Sequence, residues 1–283
     1  MFKFFDYPNR ETPLPRTRKH QFAQELTFNW RKLCSLSVLM LIFAAPFVAW
    51  MFISTIADSK LYVEMTSAVG QQQIDIAQQL QTQQFVNGLV FVPLVGLLFI
   101  GVGSAISCVK KMLWNQNLST TYDFFSYVKE GWLGYLITGV TYCLVIFSIY
   151  QLAFAANTLL IIEVVAYVLF VFVTIVALFM LALQAYYKQN LLSLLKNAVI
   201  LSVIKLPRNV ALLALSLVFA IPLIFLPLIL GTSIVVIIYA LFGAGFFVLV
   251  HTCNACSLFD QLINKQSYPT LYKKGLLGES DER

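Results

Sequence analysis

Near the C-terminal end of the chain, the stretch FFVLVHTCNACSLFDQL places His251, Cys253 and Cys256 within six residues at the end of a long apolar run. Imidazole and thiol side chains so close together are the raw material of a metal or redox site. Helical geometry argues against both. Cys253 and Cys256 are three apart and share a face, whereas His251 points about 160° away from their midpoint. A CxxC metal site also needs a second ligand pair, and the nearest thiols, Cys34 and Cys108, would have to converge from other segments. A thioredoxin-like motif needs a soluble sheet that this sequence lacks. The stretch therefore reads as the end of a membrane span, with reduced thiols packed as small apolar side chains and His251 reaching a helix partner.

The second candidate is Glu163, the one carboxylate inside an apolar run. A charge in hydrocarbon is costly unless it is paired or hydrated, so an intramembrane carboxylate points to function by default. Two readings stand: an interfacial Glu163 that reaches water, and a proton or substrate site. No intramembrane Lys or Arg accompanies it, and the neutral polar side chains Gln151, Asn157, Thr174 and Gln184 suit bonds between helices. Pro46, Pro93, Pro222 and Pro227 could break spans, and broken spans can form binding sites; Pro222 and Pro227 are expected to kink the fifth.

Enzyme signatures are missing. The sequence has no P-loop, GxSxG elbow, HExxH or paired acidic metal motif. GVGSAI at Gly101 lacks the third glycine and the preceding strand of a dinucleotide fingerprint, and His20 lies in a basic lead without an obvious partner. No cofactor, metal or catalytic residue is expected. The sequon at Asn117 is expected to face the cytoplasm and stay unmodified.

The elements that carry these residues follow from composition. Of 283 residues, 59% are hydrophobic and 11% charged, far from the roughly 25% charged residues of soluble domains. An all-α, polytopic transmembrane helix bundle is expected. A span needs about 20 apolar residues, and six runs supply them: Leu33 to Ala57, Phe85 to Cys108, Leu133 to Ala155, Thr158 to Ala185, Asn209 to Leu230 and Ser233 to Cys256. The chain divides into a polar basic lead (1–32), a six-span domain (33–256) and a tail (257–283). The lead carries seven Lys or Arg before any apolar run, so the first span is expected to stay as the insertion signal.

Charge sets the expected orientation. All of the 19 Lys and Arg except Lys60 fall in the lead, the even-numbered connections or the tail, which requires an even number of spans with both termini cytoplasmic. A multi-pass protein of the cell membrane follows. Its net charge of +6 reads as attraction to anionic lipid of the bilayer, and no nucleic-acid partner is expected. Cys34, Cys108, Cys253 and Cys256 sit at predicted cytoplasmic ends and Cys143 lies inside the third span, so five free thiols are expected.

The connections differ in content. The outer one from Asp58 to Gln84 holds the glutamine-rich run 71–84, where Ile74, Ala77 and Leu80 recur at the spacing of a short surface helix; it reads as a solvated or weakly helical cap, with a docking surface for an extracellular partner or polymer as the alternative. AANT and GTS, the other outer connections, are minimal. On the cytoplasmic side a helix can start at Thr120, with Asp123 in a capping-box-like position and Leu118, Tyr122, Phe125, Val128 and Trp132 on one face. From Lys188 to Val199 a second amphipathic helix has Gln189, Asn190, Ser193, Lys196 and Asn197 on its polar arc, and Pro207 stops it. Two cytoplasmic interfacial helices are thus expected beneath the bundle.

Several stretches carry a resemblance: DFF at Asp123 to Phe125, KN at Lys196 and Asn197, LPRN at Leu206 to Asn209, a last span ending near LFDQLI, and the lead FFDYPNRETPLPRTRKHQF running into ELTFNWRKLCSLSVL. Together they resemble the YesL family of bacterial integral membrane proteins over most of the chain. The resemblance implies a small helical membrane protein that assists ABC-type permease subunits in carbohydrate uptake, that is, a non-catalytic accessory or scaffolding component. The alternative is an autonomous small-molecule transporter or channel using Glu163 and proline-broken spans. An intramembrane enzyme using His251 and the thiols is a third, weaker reading.

Overall fold

A computed structural model describes residues 14–155, 160–187 and 189–276. Lys3, Arg10, the AANT connection with Asn157 from Ala156 on, Lys188 and the tail beyond residue 276 lie outside the described residues. Among the described residues the chain is all-helical. Five helices are long and apolar enough to cross a membrane, and a bent pair raises the number to six.

A short helix, α1 (Arg18–Phe28), is capped by Thr17, whose side chain accepts from the His20 amide. Then come α2 (Trp30–Ser67), α3 (Gln71–Leu113), α4 (Thr120–Ala155) and α5 (Leu160–Tyr186). Next are α6 (Leu191–Ile204) and α7 (Leu206–Ser216), which meet at 92°. A 3-10 turn at Val218–Ala220 and the single turn α8 (Pro222–Phe225) lead to a continuous last helix. That helix comprises α9 (Leu228–Ile238), a π turn (Tyr239–Gly243), α10 (Ala244–Phe259), a second π turn (Asp260–Asn264) and α11 (Lys265–Ser267).

The structure departs from several expectations. The stretch from Asp58 to Gln84 is a helical hairpin: α2 continues to Ser67, the chain turns through Ala68–Gly70, and α3 begins at Gln71. Glutamine is a good helix former, and no proline intervenes before Pro93, so nothing stops the helix within the glutamine-rich run. Gly70 supplies the positive φ (66°) of the turn. Asp58 accepts from Gln83 Nε2 (2.8 Å) and Asn87 Nδ2 (3.3 Å), which clamps the two legs.

No separate helix precedes the third apolar run either. Helix α4 starts at Thr120, as its capping signal predicts, with Asp123 Oδ2 accepting from the Ser119 amide at 2.8 Å, but it then continues unbroken to Ala155. Glycines at 131 and 134 weaken a helix without stopping it, and this stretch has no proline. Asp123 and Phe124 turn inward, while Tyr122 (75% exposed) and Trp132 (49%) point out. Lys111 holds Asp123 there, its Nζ lying 2.8 Å from both carboxylate oxygens.

The run from Asn209 to Leu230 is not one helix. Pro46 and Pro93 are carried inside α2 and α3, but Pro222 and Pro227, five residues apart, remove two donors within little more than one turn. The chain still travels antiparallel to the last helix along this stretch. Asn209 meets Asn254, Phe219 packs on Phe242 and Phe246, and Gly231 lies under the Pro222 carbonyl. From residue 231 to residue 254 a helix rises about 35 Å, roughly a bilayer core. The last helix runs to Ser267, well past Cys256.

Both described termini meet at one end, termed basal here; the α2–α3 turn lies at the opposite, distal end. Buried side chains concentrate basally. They include Leu33 and Leu36 of α2, Ile106, Val109 and Leu113 of α3, Phe124 of α4, Leu181 and Leu183 after the middle of α5, and Leu249, Leu258 and Phe259 of α10. At the distal end α5 is exposed nearly all round, as Ile161 (75%) and Tyr167 (72%) show. Close packing uses glycine where helices cross. A Cβ on Gly139 would stand 2.9 Å from the Gly96 Cα, so α3 and α4 touch backbone to backbone there.

Candidate functional site

The two sequence-predicted residues are not brought together. Glu163 lies in the first turn of α5 with its side chain exposed, where a carboxylate complements the positive end of the helix dipole. His251 lies beside Ile175, Leu178 and Phe179 of the same helix, which places it about 18 Å further along α5.

His251 does reach a helix partner. Its Nε2 is 2.9 Å from Ser216 Oγ at the C-terminal end of α7, and its ring packs on Phe247 at 4.6 Å. Ser216 Oγ also lies 2.9 Å from the Leu212 and Leu213 carbonyls. The Leu212 and Leu213 carbonyls thus compete with the His251 ring for the one hydroxyl proton of Ser216. One turn away, Asn254 Nδ2 donates to Asn209 Oδ1 (2.9 Å), and Asn209 Nδ2 reaches the Leu201 and Ser202 carbonyls (3.3 and 3.2 Å). The asparagine of LPRN thus serves the carbonyls that the elbow between α6 and α7 leaves without backbone donors. Asn209, His251 and Asn254 line a cavity of about 10 Å³, room for one water and no solute.

The cysteines are all free; Cys253 and Cys256 are buried, as are Cys108 and Cys143. Among the described residues no group of His, Cys, Asp or Glu could hold a metal ion.

A larger polar assembly, spread along the chain, occupies the basal end. Arg18 donates through Nε (3.0 Å) and Nη2 (2.8 Å) to Asp260 Oδ2, across 242 residues of sequence. Asp260 Oδ1 accepts from Asn264 Nδ2 (2.9 Å) and from the Lys273 amide (3.2 Å), and Asn264 Oδ1 accepts from Tyr187 OH (2.6 Å). The π turn at Asp260–Asn264 presents these two side chains to one cluster. Gln21 Nε2 donates to the Leu113 carbonyl (2.6 Å), and Lys110 Nζ to that of Ala185 (2.6 Å) between the rings of Trp114, Tyr127 and Tyr186. The negative ends of α3 and α5 are therefore capped by side chains from neighbouring segments. Sequence reasoning noted LFDQLI but missed this assembly, because its partners are too far apart in sequence for any spacing rule.

In chemical terms the basal assembly binds helices to one another: Arg18 and Asp260 pair, and Lys110 is held by a carbonyl and aromatic rings. What the fold and this cluster define is a class, a helical protein with helices long and apolar enough to cross a membrane and a latched end. Comparison with protein-family models, curated proteins and solved structures gives no match for this chain.

Proposed function

We propose that the chain is a six-span protein of a bacterial cytoplasmic membrane, with both termini cytoplasmic, acting as a non-catalytic accessory or scaffolding component of a transport system. The sixth span in this reading is the irregular path from Leu206 to Phe225 alongside the last helix. Helix α6 lies in the cytoplasmic interface, as do the first turns of α4. The observation that carries the accessory role is the basal latch: Arg18, Asp260, Gln21 and Lys110 join α1, α3, α5 and the last helix into one rigid end. Two cavities, of about 10 and 40 Å³, are water-sized. Such a body suits holding a partner better than moving a solute. The resemblance to the YesL family supplies the transport system, carbohydrate uptake by an ABC-type permease.

Purification from native membranes tests this: recovery of permease subunits in stoichiometric amount is the expected result. The autonomous-transporter reading has one observation in its favour, the facing breaks at Val218–Ala220 and Tyr239–Gly243. Liposome flux by the purified protein, abolished by Glu163→Gln, would replace the accessory role with that reading.

A further inference from the structure

The elbow between α6 and α7 is where cations and exposed apolar surface coincide. Helix α6 packs through Leu194, Ala198, Leu201 and Ser202. Leu192 (79% exposed), Leu195 (41%), Val199 (38%) and Val203 (57%) form a separate stripe, spaced three, four and four residues apart. Beside that stripe stands Lys196, and at the corner stand Lys205 and Arg208, all exposed. Helix α6 meets α7 at 92° at this elbow.

These cations have no acidic counterpart. From Val164 to Phe259 the sequence contains no Asp or Glu at all. Among the described residues none of Lys196, Lys205 and Arg208 forms a salt bridge. By contrast, Arg18 is paired with Asp260 and Lys111 with Asp123.

We infer that the α6–α7 elbow is a docking surface for anionic phospholipid: Lys205, Arg208 and Lys196 take the phosphate-bearing headgroup, and the stripe on α6 takes the upper acyl chain. An amphipathic molecule is required because the cations and the apolar stripe are adjacent on one exposed surface, and an anionic one because the protein leaves the charges unmatched. Soluble phosphate would satisfy the cations and leave the stripe in water. The inference rests on the proposed membrane topology only for which leaflet supplies the lipid.

The test uses the full-length protein in detergent, with phosphatidylglycerol and phosphatidylcholine added separately and bound lipid counted by native mass spectrometry. Wild-type protein is expected to retain phosphatidylglycerol at least tenfold more strongly. The variant Lys205→Gln/Arg208→Gln is expected to lose most of that preference, since about 1 kcal/mol per basic side chain corresponds to about fivefold. Both side chains are exposed, and an unchanged circular dichroism melt shows that the variant folds. Equal retention of the two lipids, or a preference unaltered in the variant, overturns the proposal. So does a soluble polyglutamate peptide that binds the same cations without any lipid preference, because it assigns the surface to a protein. Labelling of Lys205→Cys from the outside of intact cells would refute the cytoplasmic orientation and leave the lipid site standing.

Discussion

The Tyr239 hydroxyl donates to the Ser216 carbonyl oxygen at 2.9 Å, joining the π turn of the last helix to the residue at which α7 gives way to a 3-10 turn. Both partners are irregular at the same level, and Phe219 wedges edge-on against Tyr239 there, with ring centroids 6.1 Å apart. Beyond this junction Ile224 (76% exposed) and Phe225 (78%) carry little packing. The junction therefore helps to hold the irregular stretch before α8 against the last helix. Tyr239→Phe leaves the Ser216 carbonyl without its donor and is expected to cost about 1–2 kcal/mol. Hydrogen exchange read by mass spectrometry is expected to quicken between residues 217 and 238 and to stay unchanged in α10; uniform exchange across both would remove the anchoring role.

Arg18 and Asp260 make the heaviest single demand on stability. Their side chains are only 10% and 9% exposed, so removing one partner strands a charge away from water. Arg18→Met and Asp260→Asn are each expected to lower stability by about 3–5 kcal/mol, measured by thermal unfolding in detergent. Combining them should cost clearly less than the sum of the two losses. Strict additivity would show that the two residues act independently.

This pair also marks the limit of what the sequence discloses. Apolar run length located α2 to α5 and the last helix, because a span must satisfy its backbone internally whatever surrounds it. The Thr120 start and the Pro207 stop were readable because caps and prolines act within a few residues. Arg18 and Asp260 lie 242 positions apart, and Gln21 and the Leu113 carbonyl 92 apart, so no periodicity connects them. Pro222 and Pro227 suggested a kink, but a broken helix held by Ser216, His251 and Tyr239 depends on contacts across two segments. Asp123 was readable as a local cap of α4, but its pairing with Lys111, on the neighbouring helix, was not.

Gly245 is the tightest crossing of the last helix with α2. Its amide donates to Ser37 Oγ at 2.8 Å, and a Cβ there would run into the Leu33 carbonyl. Gly245→Ala is expected to destabilise by about 1–3 kcal/mol through overpacking. Gly134→Ala serves as its control, since a Cβ there would find nothing nearer than Gln184 Oε1 at 3.6 Å. At that helical position alanine is expected to be neutral or to stabilise by up to about 1 kcal/mol. Unfolding midpoints in the same detergent compare the two; equal effects would mean that the α2 contact is looser than the geometry gives.

Glu25 makes the docking of α1 depend on pH. Burial raises its carboxyl above the usual carboxylate range, against the opposing hydrogen bond from Asn29 Nδ2 (2.6 Å) and the nearby charge of Lys32. The folded state thus holds this proton to higher pH than the unfolded state. Where the pKa is higher folded than unfolded, the docked form gains most below the ordinary Glu value and loses that gain as pH rises through the folded one. Glu25→Gln keeps the shape and removes the titration, so α1 of the variant should dock equally well across this range. Protease cleavage at Lys19, exposed on α1, reports the difference: wild-type protein is expected to be cut more slowly near pH 4.5 than at neutral pH once rates are corrected for protease activity, and Glu25→Gln at one rate throughout. A wild-type rate that does not change with pH would show that Glu25 is hydrated in the docked helix.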